Sequence, residues 1–140
     1  MEPFFSQLNY WALLASGIIL WFLGYLWFSV IMANSWILEI MNHGIEIKKP
    51  TNSEFASKLI ITFLLNLLTS FGVAFIVFAT ETSTLPAAIV LGLILGICFS
   101  AATMGINFLW ENRSVKLSLI DIGYPILSIV IASIIFTLWQ

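Results

Sequence analysis

Charged side chains are scarce in this chain. Five lysines and arginines and seven aspartates and glutamates make up 9% of its 140 residues, against about 25% in typical soluble domains. So few charges cannot cover a surface that faces water. Because 61% of the residues are hydrophobic, the composition indicates that lipid is the solvent for most of the chain. The net charge of −2 also provides no basic surface for nucleic acid.

Cysteine and histidine are almost absent. Cys98 is the only cysteine, which excludes an intrachain disulfide, and its apolar surroundings predict an inert, buried thiol rather than a reactive one. His43 has no second histidine or cysteine near it in sequence, so we expect no metal site and no cofactor. The sequence contains no nucleophile motif and no glycine-rich phosphate loop. It therefore favours a protein that is not an enzyme, without deciding the question.

Long apolar runs are what the chain has in abundance. Four of them reach the roughly 20 residues needed to cross about 30 Å of hydrocarbon. They must be helical, because lipid offers no partner to unpaired backbone groups. The sequence predicts a single all-α membrane domain over residues 1–140, an antiparallel bundle of four transmembrane helices at about residues 10–32, 59–79, 86–109 and 117–139.

The connection between the first two predicted helices, residues 33–57, is the longest. Within it, residues 35–44 predict a short interfacial helix that Ser35 would cap and Gly44 would end; the alternative is an irregular loop. Thr51 and Glu54 have the spacing of a capping box. Ser114 is a candidate N-cap for the fourth transmembrane helix.

The basic residues predict the orientation. All five lie in or beside the first and third connections, at Lys48, Lys49, Lys58, Arg113 and Lys116. The positive-inside rule places those connections in the cytoplasm, and both termini then lie on the non-cytoplasmic side. We expect the cell membrane, as in a bacterial cytoplasmic membrane.

Small residues recur along one face of the third apolar run. A period of 3.6 residues aligns Ala88, Gly92, Gly96 and Ser100, and the stripe continues to Thr103 and Asn107. Such a stripe lets another backbone approach closely. The partner is either a helix of the same bundle or a second copy of the chain. The large side chains along one side of the first helix, Trp21, Tyr25, Phe28 and Met32, are the expected complement. Alternatively, that side borders a lipid-sized groove or contacts another subunit.

Polar residues within the predicted spans gather toward the basic end. Ser29, Asn66, Asn107 and Asp121 lie at similar depths on four different helices, and we expect them to face inward as a polar cluster. This cluster is either a hydrogen-bonded clamp between helices or a pocket open to the cytoplasm. Asp121 could pair with Arg113 or accept from Asn107. Glu111 and Arg113 are interpreted as a solvated pair in the loop.

One stretch resembles a known family. Residues 107–124 read N-F-L-W-E-N-R-S-V-K-L-S-L-I-D-I-G-Y, which is similar to the N-Y-L-F-E-G-R-S-L-K-L-F-L-I-N-A-G-Y-H signature of the family called domain of unknown function 1761. Residues 24–29, G-Y-L-W-F-S, resemble that family's G-x-L-W-Y-S-P segment. Val30 replaces the usual proline and Pro125 the frequent histidine. The resemblance implies a small four-span membrane protein, and it implies no reaction, substrate or cofactor.

Three classes of function follow. The first is a membrane protein that acts by helix packing, by self-association as a homo-oligomer, or as an accessory subunit of a larger membrane complex. The second is an enzyme or binder of a lipid or quinone-like molecule, with a polar pocket on the cytoplasmic side that uses Glu111, Arg113 or Asp121. The third is a transporter of a small neutral or amphiphilic solute. The lipid bilayer is the one partner common to all three.

Overall fold

Helices make up most of the protein. The computed structural model describes residues 2–45 and 50–139, and within these ranges it contains no strand. Four helices are long and apolar enough to cross a membrane, which confirms the prediction of an all-α, four-span membrane bundle. The helices are α1 (Glu2–Gln7), α2 (Tyr10–Ile31), α3 (Ala33–Asn42), α4 (Asn52–Ala79), α5 (Leu85–Trp110) and α6 (Val115–Leu138).

Side-chain caps start three of the four membrane helices, α2, α4 and α6, whereas Thr84 precedes α5 without a capping hydrogen bond. Thr51 Oγ1 accepts from the Glu54 N–H at 3.3 Å, and Glu54 Oε2 accepts from the Thr51 N–H at 2.8 Å, so the predicted capping box forms. It starts α4 at Asn52, seven residues before the position predicted from hydropathy. Ser114 caps α6 through the Leu117 N–H at 3.1 Å. Asn9 caps α2.

The predicted interfacial helix is present as α3, with one difference at its start. It begins at Ala33 rather than after Ser35, because α2 runs almost directly into it, and Met32 precedes α3 without any side-chain cap. Gly44 follows its last turn with φ of 71°, the left-handed conformation that ends helices and favours glycine.

Helix α6 is the common partner of the other long helices. It packs against α2, α4 and α5, and α3 also contacts it. The core between α2, α4 and α6 contains Leu20, Val73 and Ala132, which are at most 5% exposed. Most other apolar side chains of the long helices are exposed, as a lipid-facing surface requires. Cys98 is exposed as well, so the prediction of a buried thiol is wrong. Helix α5 packs principally on α6.

The small residues of α5 allow that close contact. A Cβ atom added at Gly92 would lie 2.6 Å from Val130 Cα, and one at Gly96 would lie 2.9 Å from Ile126 Cα. The expectation that the aromatic side of α2 fills this stripe is wrong, since the α6 backbone occupies it. Of those aromatics, Trp21 packs on Phe63 instead.

A π-helical stretch divides the stripe of α5. Residues Leu95–Ala101 are π-helical, and inserting one residue into a helix turns the following residues by about 100°. Gly92 is buried ahead of this stretch and Gly96 near its start, whereas Asn107 after it is exposed and Phe108, one residue later, is buried. The α-helical period therefore predicts the wrong face for the last third of α5.

Candidate functional site at the basic end of the bundle

Helix α3 folds over the beginning of α6 and is tied to it by polar contacts. Glu39 Oε2 accepts from Ser114 Oγ at 2.6 Å, and His43 Nε2 accepts from the Ser114 N–H at 2.8 Å. The residue that caps α6 is therefore held by two side chains of the α3 region. Lys116 Nζ lies 3.5 Å from Glu39 Oε1. These contacts fix α3 on the bundle rather than leaving it loose in the loop.

Asp121, in the first turns of α6, makes a second set of polar contacts beside these. Its Oδ1 accepts from Trp36 Nε1 at 3.0 Å, and its Oδ2 accepts from Arg113 Nη1 at 3.0 Å. Arg113 also pairs with Glu111 through Nε, and its guanidinium lies 4.5 Å from the Phe108 ring centre. Both Asp121 oxygens thus have charged or N–H partners, which a carboxylate within a membrane helix requires. We call Trp36, Glu39, His43, Arg113, Ser114, Lys116 and Asp121 the loop network.

Local partners determine the charge of Glu39. The Ser114 hydroxyl first, and the Lys116 ammonium after it, hold the pKa of the Glu39 carboxyl below its ordinary value, against the opposing effect of burial. Glu39 is therefore a carboxylate at neutral pH, as its hydrogen bond from Ser114 requires.

A second polar contact lies deeper, between α2, α4 and α6. The Tyr124 hydroxyl is 2.9 Å from Asn66 Oδ1 and 3.2 Å from the Leu20 carbonyl, and Asn66 Nδ2 donates to the Thr62 carbonyl at 3.1 Å. The Tyr124 hydroxyl therefore connects α6 with α2 and α4. The serines of a neighbouring layer, Ser16 and Ser70, bond each other at 2.9 Å.

The four residues of the predicted polar cluster do not come together. Asn66 and Asp121 point into the bundle but bond different partners, Tyr124 and the loop network. Ser29 and Asn107 are exposed. For Asn107 the cause is the π-helical stretch that turns the end of α5.

Several residues of these contacts are not among the predicted site residues, including Trp36, Glu39 and Tyr124. One signal could have pointed to Tyr124: it lies three residues after Asp121, on the same face of a helix. Glu39 is a carboxylate in a helix expected at the interface, where it needs a basic or hydroxyl partner. Neither pattern identifies the partner helix.

A groove runs beside the loop network, between the end of α2, α3 and the start of α6. Its volume is about 500 Å³. The described residues that line it are Trp27, Met32, Ser35, Val115, Lys116, Leu119, Ile120 and Gly123. Of these Lys116 alone is charged, and we call the site the Lys116 groove. Trp27 Nε1 donates to the Ile120 carbonyl at 2.9 Å. A Cβ at Gly123 would lie 2.7 Å from the Trp27 ring, so this glycine lets the ring lie against α6.

The comparisons with known proteins place the chain in a family. Residues 11–137 match the family described as protein of unknown function (DUF1761). The chain belongs to this family. No curated protein and no solved structure matches it. The match extends from α2 almost to the end of α6, so the loop network and the Lys116 groove both lie within it.

Proposed function

We propose that this protein is a multi-pass protein of the cell membrane that binds a phospholipid of the cytoplasmic leaflet. The observation that supports the proposal is the Lys116 groove, an open, mostly apolar groove at the basic end of the bundle with an ammonium group in its wall. An acyl chain would lie along the groove and the lipid phosphate would meet Lys116. No reaction is part of the proposal.

The orientation rests on the basic residues. Lys58, Arg113 and Lys116 all belong to the end of the bundle that carries α3. Lys48 and Lys49, which enter the same argument, lie outside the described residues. The positive-inside rule assigns this end to the cytoplasm and both termini to the other side. In a chain with Cys98→Ser, a membrane-impermeant thiol reagent added to intact cells should modify Ser83→Cys and spare Lys49→Cys. Modification of Lys49→Cys alone from outside would reverse the orientation.

The size and lining of the groove suit a lipid chain. Ligand pockets in proteins have volumes of about 300–1,000 Å³ and mostly apolar walls with a few polar groups. The groove has this size, and Met32, Val115 and Leu119 supply apolar wall. Trp27 satisfies its ring N–H within the protein, so it also presents an apolar surface.

The charge at the groove favours a phosphate over the quinone-like alternative. The Lys116 side chain is 60% exposed, although Glu39 lies 3.5 Å away. A lysine near the anionic cytoplasmic leaflet is attracted to its lipids by about 1 kcal/mol, whereas a quinone carbonyl carries no charge to attract the lysine. The nearby Glu39 further suits a headgroup that carries an amine, as phosphatidylethanolamine does.

Native mass spectrometry of the detergent-purified protein tests the proposal, with added phosphatidylethanolamine, phosphatidylglycerol or a short-chain ubiquinone as the probe. Lys116→Ala should weaken phospholipid binding about fivefold, the equivalent of roughly 1 kcal/mol. Lys58→Ala is the matched control, a basic residue at the same end that does not line the groove. Equal losses in both variants, or a preference for ubiquinone, would contradict the proposal. The two phospholipids distinguish an amine-bearing from an anionic headgroup.

Filling the groove gives a second measurement. Leu119 lines it and is 64% exposed, so Leu119→Trp should occupy the space without disturbing the core. Ile61→Trp is the control on a comparably exposed position of α4. Phospholipid binding should fall only in the Leu119 variant. Action through self-association or as an accessory subunit stays a prediction, and the α5 stripe lends it no support because Gly92 and Gly96 pack on α6 of the same chain.

A further inference from the structure

A second pocket, of about 590 Å³, lies at the end of the bundle opposite the loop network. Its walls come from α1, the end of α4, the turn that follows α4 and the end of α6. Polar groups of Gln7, Asn9, Glu81 and Ser83 line it, together with apolar residues that include Phe78. It therefore combines a hydrophobic body with a small set of polar groups, which is the composition of small-molecule sites.

The wall formed by α1 is firmly attached. Phe4 is only 2% exposed and makes edge-to-face contacts with Phe71 at 5.6 Å and Phe75 at 5.2 Å between ring centres. Aromatic pairs of this geometry contribute beyond their buried area. Asn9 then turns the chain into α2 by capping it, with Oδ1 3.1 Å from the Trp11 and Ala12 N–H groups. The pocket is thus bounded by packed structure.

The described charge at the pocket is negative. Of the lining residues that the structure describes, Glu81 is the one that is charged, and it lies in the turn after α4 with φ of 49°. Among the residues that the structure describes, Lys58, Arg113 and Lys116 all lie at the opposite end. No described basic side chain therefore competes for this carboxylate.

The helix ends at the pocket add to the same preference. Helix α4 ends at Ala79 and α6 ends just before Trp139, and both of these residues line the pocket. The C-terminal end of a helix carries partial negative charge and favours cations. The N-terminus of α2 also adjoins the pocket, but Asn9 already occupies its first N–H groups. Aromatic faces such as those of Phe78 and Trp139 attract cations as well.

We propose that this pocket binds a lipophilic organic cation, an ammonium compound whose charge lies at Glu81 and whose apolar body contacts Phe78 and Phe136. A phosphate or carboxylate ligand is disfavoured by Glu81 and by the helix ends. The inference is independent of the phospholipid groove, since no described residue lines both sites.

Equilibrium dialysis of the detergent-solubilised protein tests this proposal, with benzyltrimethylammonium as the probe. Neopentylbenzene, in which carbon replaces the charged nitrogen, is the matched neutral ligand. Glu81→Gln should weaken binding of the cation about three- to fivefold, as expected for loss of a solvent-exposed ion pair, and should leave the neutral ligand unaffected. Glu81→Asp, which keeps the charge, should retain most of the affinity.

Two controls define the site. Glu111→Gln removes a carboxylate at the opposite end and should leave cation binding unchanged, as should Lys116→Ala. Ser83→Trp, which changes no charge, should block the pocket and abolish binding. Equal binding in wild type and Glu81→Gln, equal affinity for the neutral ligand, or no binding of the cation would overturn the proposal. If the Ser83 variant does not fold, the comparison of Glu81→Gln with Glu81→Asp still tests the proposal.

Discussion

Adding a single carbon atom at Gly92 tests the contact between α5 and α6. In Gly92→Ala, the added Cβ would lie 2.6 Å from Val130 Cα and 3.1 Å from Val130 N. Carbon atoms in contact are normally about 3.5–4.0 Å apart, so the two helices must move apart by about 1 Å. Val130 cannot yield by rotating a side chain, because two of the three nearest atoms belong to the α6 backbone.

The expected destabilisation follows from two opposing effects. Overpacking lowers the free energy of unfolding by about 1–3 kcal/mol, whereas replacing glycine by alanine inside a helix raises it by about 0.5–1 kcal/mol. These two effects leave a net cost of about 0–2.5 kcal/mol, and we expect Gly92→Ala to lower the free energy of unfolding by about 1 kcal/mol, near the middle of that range. Gly96→Ala, with its nearest atom at 2.9 Å, should cost less. Separation of α5 matters because close packing, rather than hydrophobic burial, joins helices in lipid.

Gly105 provides the matched control, since it lies on the same helix and an added Cβ there meets nothing within 4 Å. Gly105→Ala should be neutral or stabilising. Unfolding in mixed dodecylmaltoside and SDS micelles, followed by circular dichroism, measures all three variants. If Gly92→Ala proves as stable as Gly105→Ala, the packing argument is wrong. A Gly96→Leu variant that folds normally with an unchanged oligomeric state would also contradict it.

Two further predictions concern the polar contacts. Tyr124→Phe should lower the free energy of unfolding by about 0.5–1.5 kcal/mol because Asn66 loses its hydroxyl partner; Tyr25→Phe, at a 58% exposed position, should change it little, and equal effects would refute the role of this bond. The pKa of Glu39 is lowered from 4.5, chiefly by Ser114, so its contribution to α3 docking is present above pH 4.5 and is lost as the pH falls through the lowered pKa. Below pH 4.5, hydrogen exchange of the α3 amides should therefore become faster in the wild type, relative to the Glu39→Gln variant at the same pH. Equal pH profiles for the two proteins would contradict a role of the Glu39 charge in docking α3.

The sequence predicts where the membrane helices lie along the chain better than it predicts which side of each helix faces the bundle. Apolar length alone identifies four helices, because the requirement for internal backbone bonding in lipid leaves no alternative. Hydropathy predicts the start of α4 seven residues too late because it ignores the two polar turns after Thr51, although the sequence shows the capping box itself. The sequence predicts the wrong face for Asn107 because a π-helical stretch has no signature in a pattern of 3.6 residues per turn.

The polar contacts show a similar division. A carboxylate in a membrane helix must have a partner, and Arg113 is close enough in sequence to be named for Asp121. Trp36, the other partner of Asp121, is 85 residues away in the chain. Tyr124 and Asn66 are separated by 58 residues. Such pairs depend on which helices are neighbours, and apolar runs that are all long enough to span contain no information about that order.

The central position of α6 has a consequence for biosynthesis. Ribosomes deliver the helices to the membrane in chain order, so α2 and α4 can pair early, through Ser16 and Ser70. Helix α5 inserts next, but the backbone against which Gly92 and Gly96 pack has not yet been made. Until α6 enters the bilayer, α5 lacks its main packing partner, and the side of α5 that carries Gly92 and Gly96 faces lipid. A nascent chain that stalls at this point is therefore the form most open to chaperones and membrane proteases.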